Sequence, residues 1–424
     1  MKYIKRIIDD ELKEKLSYAG AVQIKGPKWC GKTTSAKMVS KSVIEMQNPD
    51  LQDNYMELAN NKPSLLLEGD KPRLIDEWQM APKLWNAVRY SVDNIGKPGQ
   101  YILTGSSTPN DENEDFLHSG VGRFAILNMK SMTLYESGDS NGKISLRNLL
   151  DKKVNIDGLK TDLNYERIAY VLCRGGWPGS LSMPEKEALQ IPKNYLEVLC
   201  ESDISRIDGV RRDPVLAKSI LKAYARQDST IDSDVSLFDD VRSNNADVSD
   251  KTIRSYINIF KRLFVIEEIP AWNPNIRSKT AVRTSPKKSF VDPSLAVAAL
   301  GCTEKELIYD PNTFGLLFEN LVNRDLSVYA SVNGGYINHY RDRYGLECDN
   351  VVRFDDGRYI LVEIKLGGSH IKEAEKHLLE LNKLINDSKE VKTKPSLLMI
   401  ITGTDMAYTL ESGVLVIPIG LLKD

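Results

Sequence analysis

Two short stretches carry residue types whose spacing could do chemistry. The first, GPKWCGKTT, sets Gly26, Gly31, Lys32 and Thr33 in the register G-x-x-x-x-G-K-[ST]. That spacing lets backbone N–H groups curl around phosphate oxygens. It also brings an ammonium to the terminal phosphates and sets a hydroxyl where magnesium would bind. The whole run of Gly26, Pro27, Lys28, Trp29, Cys30, Gly31, Lys32, Thr33 and Thr34 is therefore the candidate nucleotide cradle. The second stretch, YILVEIKLGG, places Glu363 and Lys365 two residues apart on an apolar strand, which suits either a nuclease-type metal site or a salt-bridged rim.

The cradle has the partners it needs. In PRLIDEW an apolar strand ends in Asp76, placed to hold magnesium, and Glu77, placed to polarise an attacking water as general base. Such an acid pair favours hydrolysis over phosphotransfer. YILTGSS ends a further strand with hydroxyls at Thr104, Ser106 and Ser107; Ser106 is the candidate contact to the γ-phosphate, against the plainer reading of a polar turn. Arg123 in HSGVGRF is read either as an arginine finger, acting on its own or a neighbouring subunit's nucleotide, or as a surface arginine. No Asn-Lys-x-Asp guanine-reading motif follows, since NKPS from Asn61 lacks the Asp and comes too early, so ATP with Mg²⁺ is expected by elimination.

The second stretch gains partners through hairpin geometry. The turn Asp355-Asp356-Gly357 pairs Phe354 with Arg358, which puts Asp349 opposite Glu363 and Glu347 opposite Lys365. Opposed side chains share a face, and like charges there need neutralising. A hard divalent cation would do so, with Lys365 orienting the attacking water. Glu319, in LLFENLV, is read as a further metal ligand or as a helix-surface acid. The bland alternative for the whole patch is a solvated surface hairpin.

These residues need elements to position them. Residues 1–155 alternate strand-like and helix-like segments, as a parallel α/β sheet requires; residues 156–290 turn helical; residues 291–424 return to α/β. In the middle region a helix from Asp250 presents Ile253, Ile257, Phe260 and Phe264 on one face with Ser249 as N-cap. With the following strand and a Lys-rich return it reads as a winged helix. Were it to bind DNA, Thr252, Arg254 and a basic wing of Arg277, Lys279, Arg283, Lys287 and Lys288 would make the contact.

Bulk composition narrows the class. Over 424 residues, 57 Lys and Arg stand against 59 Asp and Glu, so the chain is no strongly basic nucleic-acid binder and any such contact must be a local patch. Five scattered cysteines show neither a disulfide framework nor metal-ligand spacing. With no apolar leader at the start and no stretch of roughly 20 apolar residues, no membrane association and a cytoplasmic setting are expected.

Taken together, GPKWCGKTT, LIDEWQ, GQYILTGSS, VGRF, RGGWPGSL, LFEN and LECDNVV with YILVEIK resemble the prokaryotic ATPases that join an AAA-like domain to a C-terminal domain of unknown function. That terminal domain is similar to the PD-(D/E)XK, restriction-endonuclease-like fold. The resemblance implies ATP binding at Lys32 and Thr33, magnesium at Asp76, and a nuclease-type core around Asp349, Glu363 and Lys365. Lys28, Trp29 and Cys30 depart from the Arg and Ser such proteins often carry there. The expectation is a multidomain α/β ATPase whose nucleotide state moves a nuclease-like domain, with ATP, DNA and further copies of itself in a homo-oligomer as the candidate partners. The alternative is a switch that holds a protein or nucleic acid and cuts nothing.

Overall fold

In the N-terminal strands neighbouring residues point to opposite faces, and both faces are apolar. Leu74 and Ile102 pack with Ile8, Leu12, Leu16 and Ala36, while Ile75 and Leu103 pack with Trp78, Leu84, Val88 and Val92. Burial on both faces is what a parallel sheet demands. Its strands are β1 (Ala21–Lys25), β2 (Ser42–Glu45), β3 (Arg73–Asp76), β4 (Tyr101–Gly105) and β5 (Phe124–Asn128), ordered β2-β3-β4-β1-β5 and all parallel. A computed structural model describes residues 3–107, 120–231, 233–243, 245–275 and 284–424. The acidic run from Asn110 to Phe116 and the wing residues Arg277, Lys279 and Arg283 lie outside the described residues.

The chain divides into two compact units. The first comprises Met1–Ser131, Ser202–Arg212 and Asn258–Val265; the second comprises Met132–Glu201, Asp213–Ile257 and Ile266–Asp424. Thus two segments of the middle region pack with the parallel sheet despite their distance from it in sequence. Among the described residues no helix is long and apolar enough to cross a membrane.

The second unit holds β6 (Ile144–Ser145), β7 (Ile266–Ile269), β8 (Lys287–Phe290), β9 (Gly335–Arg341), β10 (Glu347–Phe354), β11 (Tyr359–Lys365), β12 (Leu397–Thr402), β13 (Tyr408–Thr409), β14 (Leu415–Pro418) and β15 (Leu422–Lys423). Its main sheet runs β13-β14-β12-β11-β10-β9: an antiparallel meander β9-β10-β11 followed by parallel β12 and β14. The amphipathic helix Ile371–Asp387 covers Val351, Tyr359, Leu361, Ile400 and Val416 with Ala374, Leu378, Leu381 and Ile385. The helix Pro311–Ser331 is buried along most of its length. Its Asn323 accepts a hydrogen bond of 2.5 Å from Asn350, the polar residue at the middle of β10.

The middle region supplies the helices Pro214–Arg226, Asp234–Arg242 and Asp250–Arg262 and the antiparallel pair β7–β8. Ser249 accepts the Thr252 N–H at 3.2 Å as an N-cap should, and Ile253, Ile257 and Phe260 are buried. Phe264 departs from the expected stripe: it lies past the helix end in a left-handed conformation, φ 55°, and Leu263 is buried in its stead. The wing expectation is also corrected. Lys287 and Lys288 are 6% and 5% exposed, so neither offers its charge to a DNA backbone.

At the end of β8 the Phe290 N–H and the Asn320 side-chain amide both donate to the wholly buried Asp228, at 2.9 Å and 2.7–2.9 Å. Burial pushes this carboxyl up to about 8, with those hydrogen bonds opposing. Because the folded value lies above that of an unfolded aspartate, its contribution to stability is complete below about pH 4 and is lost as pH rises toward about 8. Asp228→Asn is expected to flatten that part of the pH dependence. Thermal midpoints at about pH 5 and about pH 9 check it; equal slopes in both proteins would contradict it.

Candidate functional site

The C-terminal ends of parallel strands are where ligands bind in open α/β sheets. Register brings the sequence candidates together there: Asp76 ends β3, Thr104 stands beside it on β4, and β1 runs into the phosphate loop. Because β4 lies between β1 and β3, its hydroxyls face both the loop and the acid pair. Gly26 opens the loop under the Met129 carbonyl, whose oxygen would lie 2.1 Å from any added Cβ. Gly31, at φ 105°, turns the chain into the helix Lys32–Val39.

Lys32 is 5% exposed, and its ammonium donates to the carbonyl oxygens of Gly26 and Pro27 at 2.9 and 2.7 Å. Thr33 Oγ1 donates to Asp76 Oδ1 at 2.6 Å, and Thr104 Oγ1 donates to the same oxygen at 2.5 Å. The Cys30 carbonyl accepts from Arg6 at 2.6 Å, which fixes the loop from the N-terminal segment. Trp29 is left-handed, φ 65°, and 63% exposed, so it contributes backbone rather than packing. Thr34 is exposed. Lys28 reaches outward to Asp203 at 2.8 Å, in the segment Ser202–Arg212 of the same unit.

Glu77 also takes a left-handed conformation, φ 53°, a placement that costs a non-glycine residue about 1–3 kcal/mol. Its Oε2 accepts from Ser106 at 3.0 Å and from the Gln79 amide. Arg123, by contrast, is not in this site. It precedes β5, whose Phe124 pairs with Ala21 at the opening of β1, five residues from the loop. At about 3.3 Å per residue that puts Arg123 roughly 16 Å toward the wrong end of the sheet. There it pairs with Asp93 at 2.7 Å, so the reading in which it acts on its own subunit's nucleotide is withdrawn.

Residues 19–137 match the family model described as "AAA domain". This segment is the one that holds the phosphate loop and the acid pair. Two further models match, both described as domains of unknown function: DUF8612 over residues 165–306 and DUF4143 over residues 314–422. Uncharacterized proteins of Mycobacterium bovis and Mycobacterium tuberculosis are each 25% identical over 360 residues, covering 84% of this chain and 72% of the relative. Among solved structures a Walker-type ATPase of Pyrococcus abyssi is similar with a TM-score of 0.42 and 14% identity, over 69% of this chain and 94% of that one.

Besides the P-loop domain, the second unit holds the other predicted cluster. The hairpin register is as expected from Arg353↔Tyr359 to Asn350↔Val362. One residue further, Asp349 Oδ2 accepts the Ile364 N–H at 2.8 Å and approaches the Lys365 ammonium at 3.4 Å, which itself lies 2.8 Å from Glu363. Glu347 does not join them. The β9–β10 register shifts between Cys348 and Val351, and Glu347 pairs with Arg341 at 3.1 Å near the surface. Glu319 is no exposed helix-surface acid: its side chain is 13% exposed, and its Oε1 lies 2.5 Å from Lys287. Burial, with Asp349's charge adding, raises the Glu363 and Glu319 carboxyls above the ordinary range. For Asp349 burial also works upward, but Lys365 and Lys287 outweigh it and hold the group below that range.

Sequence reasoning noted Thr104 but favoured Ser106, and it missed Gln79, Asp203 and the role of Lys287. Only Thr104 left a local signal, as a hydroxyl on the strand beside Asp76. Gly26→Ala is expected to displace the Met129 carbonyl and cost about 1–3 kcal/mol, which chemical denaturation of the full chain measures; an unchanged unfolding midpoint would contradict the close approach.

Proposed function

We propose that this protein is an ATP-hydrolysing switch whose N-terminal site binds Mg·ATP and whose C-terminal domain engages a partner without cutting it. The observation that carries the first part is the convergence of Lys32, Thr33, Asp76, Thr104 and Glu77 at one end of a parallel sheet, in a segment that matches an AAA domain. The donor set fits magnesium. Thr33 Oγ1 and Asp76 Oδ1 are hard oxygens 2.6 Å apart, close to the roughly 3 Å between neighbouring ligands of an octahedral ion. Bound there, the ion would offset charge on the terminal phosphates.

The protein's own groups do the rest. Loop amides and the Lys32 ammonium, released from the Gly26 and Pro27 carbonyls, take the phosphates. Ser106 presents a hydroxyl toward the γ-phosphate. Glu77 accepts a proton from the attacking water as its oxygen bonds to phosphorus and the bond to the bridging oxygen breaks, giving ADP and phosphate. Arg123 faces outward, so any role as an arginine finger would be on a neighbouring subunit of a homo-oligomer. Lys28 supplies an additional positive charge once its pairing with Asp203 is given up.

The second part favours the non-cleaving reading over a nuclease because Lys287 already occupies Glu319. DNA stays the reference partner to test. Lys32→Ala is expected to abolish nucleotide binding, whereas Glu77→Gln should keep it and lower kcat by about 10²–10⁴. Nucleotide titration together with phosphate release measures both, and Lys32→Ala with full hydrolysis would sink the assignment. Plasmid incubated with wild type and Mg²⁺ or Mn²⁺ should remain intact with or without ATP; nicking that Glu363→Ala abolishes would restore the nuclease reading. Asp203→Asn is expected to tighten ATP binding several-fold, about the tenfold that 1.4 kcal/mol represents at most, and unchanged affinity would show that the pairing does not compete.

A further inference from the structure

The resemblance to nuclease-type folds implies a core around Asp349, Glu363 and Lys365, and the sequence offered Glu319 as a further ligand for a divalent cation there. The arrangement of these groups does not fit one: among the described residues no set of three acidic, histidine or cysteine side chains is placed to hold a metal ion. We infer that Lys287 is a resident cation that closes this cluster to a divalent ion. The inference concerns the same cluster as the non-cleaving reading above and rests on that reading only in supposing the cluster inactive.

Each carboxylate is already engaged by the chain itself. Glu319 Oε1 holds Lys287 at 2.5 Å, Glu363 Oε2 holds Lys365 at 2.8 Å, and Asp349 Oδ2 accepts the Ile364 N–H at 2.8 Å with Lys365 at 3.4 Å. Lys365 belongs to the Glu-x-Lys pattern and would be present in an active site of this kind. Lys287 does not belong to it. It comes from β8, a strand outside the sheet that carries Asp349 and Glu363, and its ammonium also donates to the Asp349 carbonyl at 3.1 Å.

Charge and burial explain why the ammonium stays. Three carboxylates against two ammonium groups leave a single negative charge if all are ionised. A dication added to that would leave a net positive charge beside two fixed ammonium groups, in surroundings where like charges are poorly screened. Nor can Lys287 simply step aside. All four residues of β8 are buried, and Lys287 is held in register opposite Ile269. Withdrawing it would leave Glu319, whose side chain is only 13% exposed, without its counter-ion. An unpaired buried carboxylate is costlier than the pair.

Mn²⁺ uptake by the nucleotide-free full chain, followed by electron paramagnetic resonance, tests this. Wild type and Glu363→Gln should take up the same amount, with no ion dependent on Glu363. Lys287→Met should gain a Glu363-dependent ion, bound on the order of 10–100-fold tighter than by wild type, and lost again in the double variant. An ion that wild type binds and Glu363→Gln loses would overturn the inference, and such an ion without DNA cleavage would leave the non-cleaving function standing. A folded Lys287→Met, verified by circular dichroism, that gains nothing would also overturn it. Should that variant fail to fold, the comparison of wild type with Glu363→Gln decides alone.

Discussion

The N-terminal site depends on one carboxylate oxygen that ties three elements together. Asp76 Oδ1 accepts a hydroxyl from Thr33, at the start of the helix that follows the phosphate loop, and another from Thr104, on the neighbouring strand. Parallel pairing makes this possible, because Asp76 and Thr104 are in register and Thr104 is in register with Ile24 just before the loop. The apolar residues behind, Leu74, Ile75, Ile102 and Leu103, are wholly buried, and a slip of one residue would turn them to the wrong faces. Thus packing on both sheet faces is what sets the distance between a hydroxyl and a carboxylate at the sheet's end. The left-handed Glu77 follows directly on Asp76, so the same anchoring holds the next carboxylate in a conformation it would not adopt in a free chain.

The second unit obeys a different constraint, the need to keep buried charge close to neutral. Its acids are brought in by a helix (Glu319), by the irregular start of β10 (Asp349) and by the central strand β11 (Glu363). Asp349 is the pivot. Its side chain takes the Ile364 N–H as a ladder carbonyl would, and its backbone carbonyl takes Lys287. The cluster is therefore woven into the sheet's hydrogen bonding. Changing its charge must disturb the strands themselves, unlike the phosphate loop, where the charged groups rest on top of a sheet complete without them.

The two clusters were legible in the sequence to different degrees for a physical reason. The loop's function depends on neighbours in sequence, so spacing alone located Gly26, Lys32 and Thr33, and the strand-end acid Asp76 followed from the alternation of elements. Hairpin arithmetic placed Asp349 beside Glu363 because a tight turn fixes register for several residues. It failed two pairs later, at Glu347, since the β9–β10 register shifts between Cys348 and Val351 and a turn at the other end of the hairpin carries no signal of that shift. Lys287 looked like a surface wing charge because its partners, Glu319 and Asp349, lie more than a helix away in sequence. Arg123 misled for another reason: a Gly-Arg before a strand does not tell which end of the sheet that strand's start will occupy.

Both units bury lysines, yet they hold them by acceptors of different kinds, and the difference bears on what each lysine can do. Lys32 rests on two carbonyl oxygens, neutral dipoles whose loss is repaid as soon as a phosphate arrives with more negative charge. Lys287 and Lys365 rest on carboxylates, full charges with little exposure to solvent, and an incoming ligand would have to displace an ion pair whose separation leaves two uncompensated charges. An ammonium parked on carbonyls is ready to move; one parked on carboxylates is part of the scaffold. The same residue type thus rests on neutral dipoles in one unit and on full charges in the other, and the acceptor decides how firmly it is held.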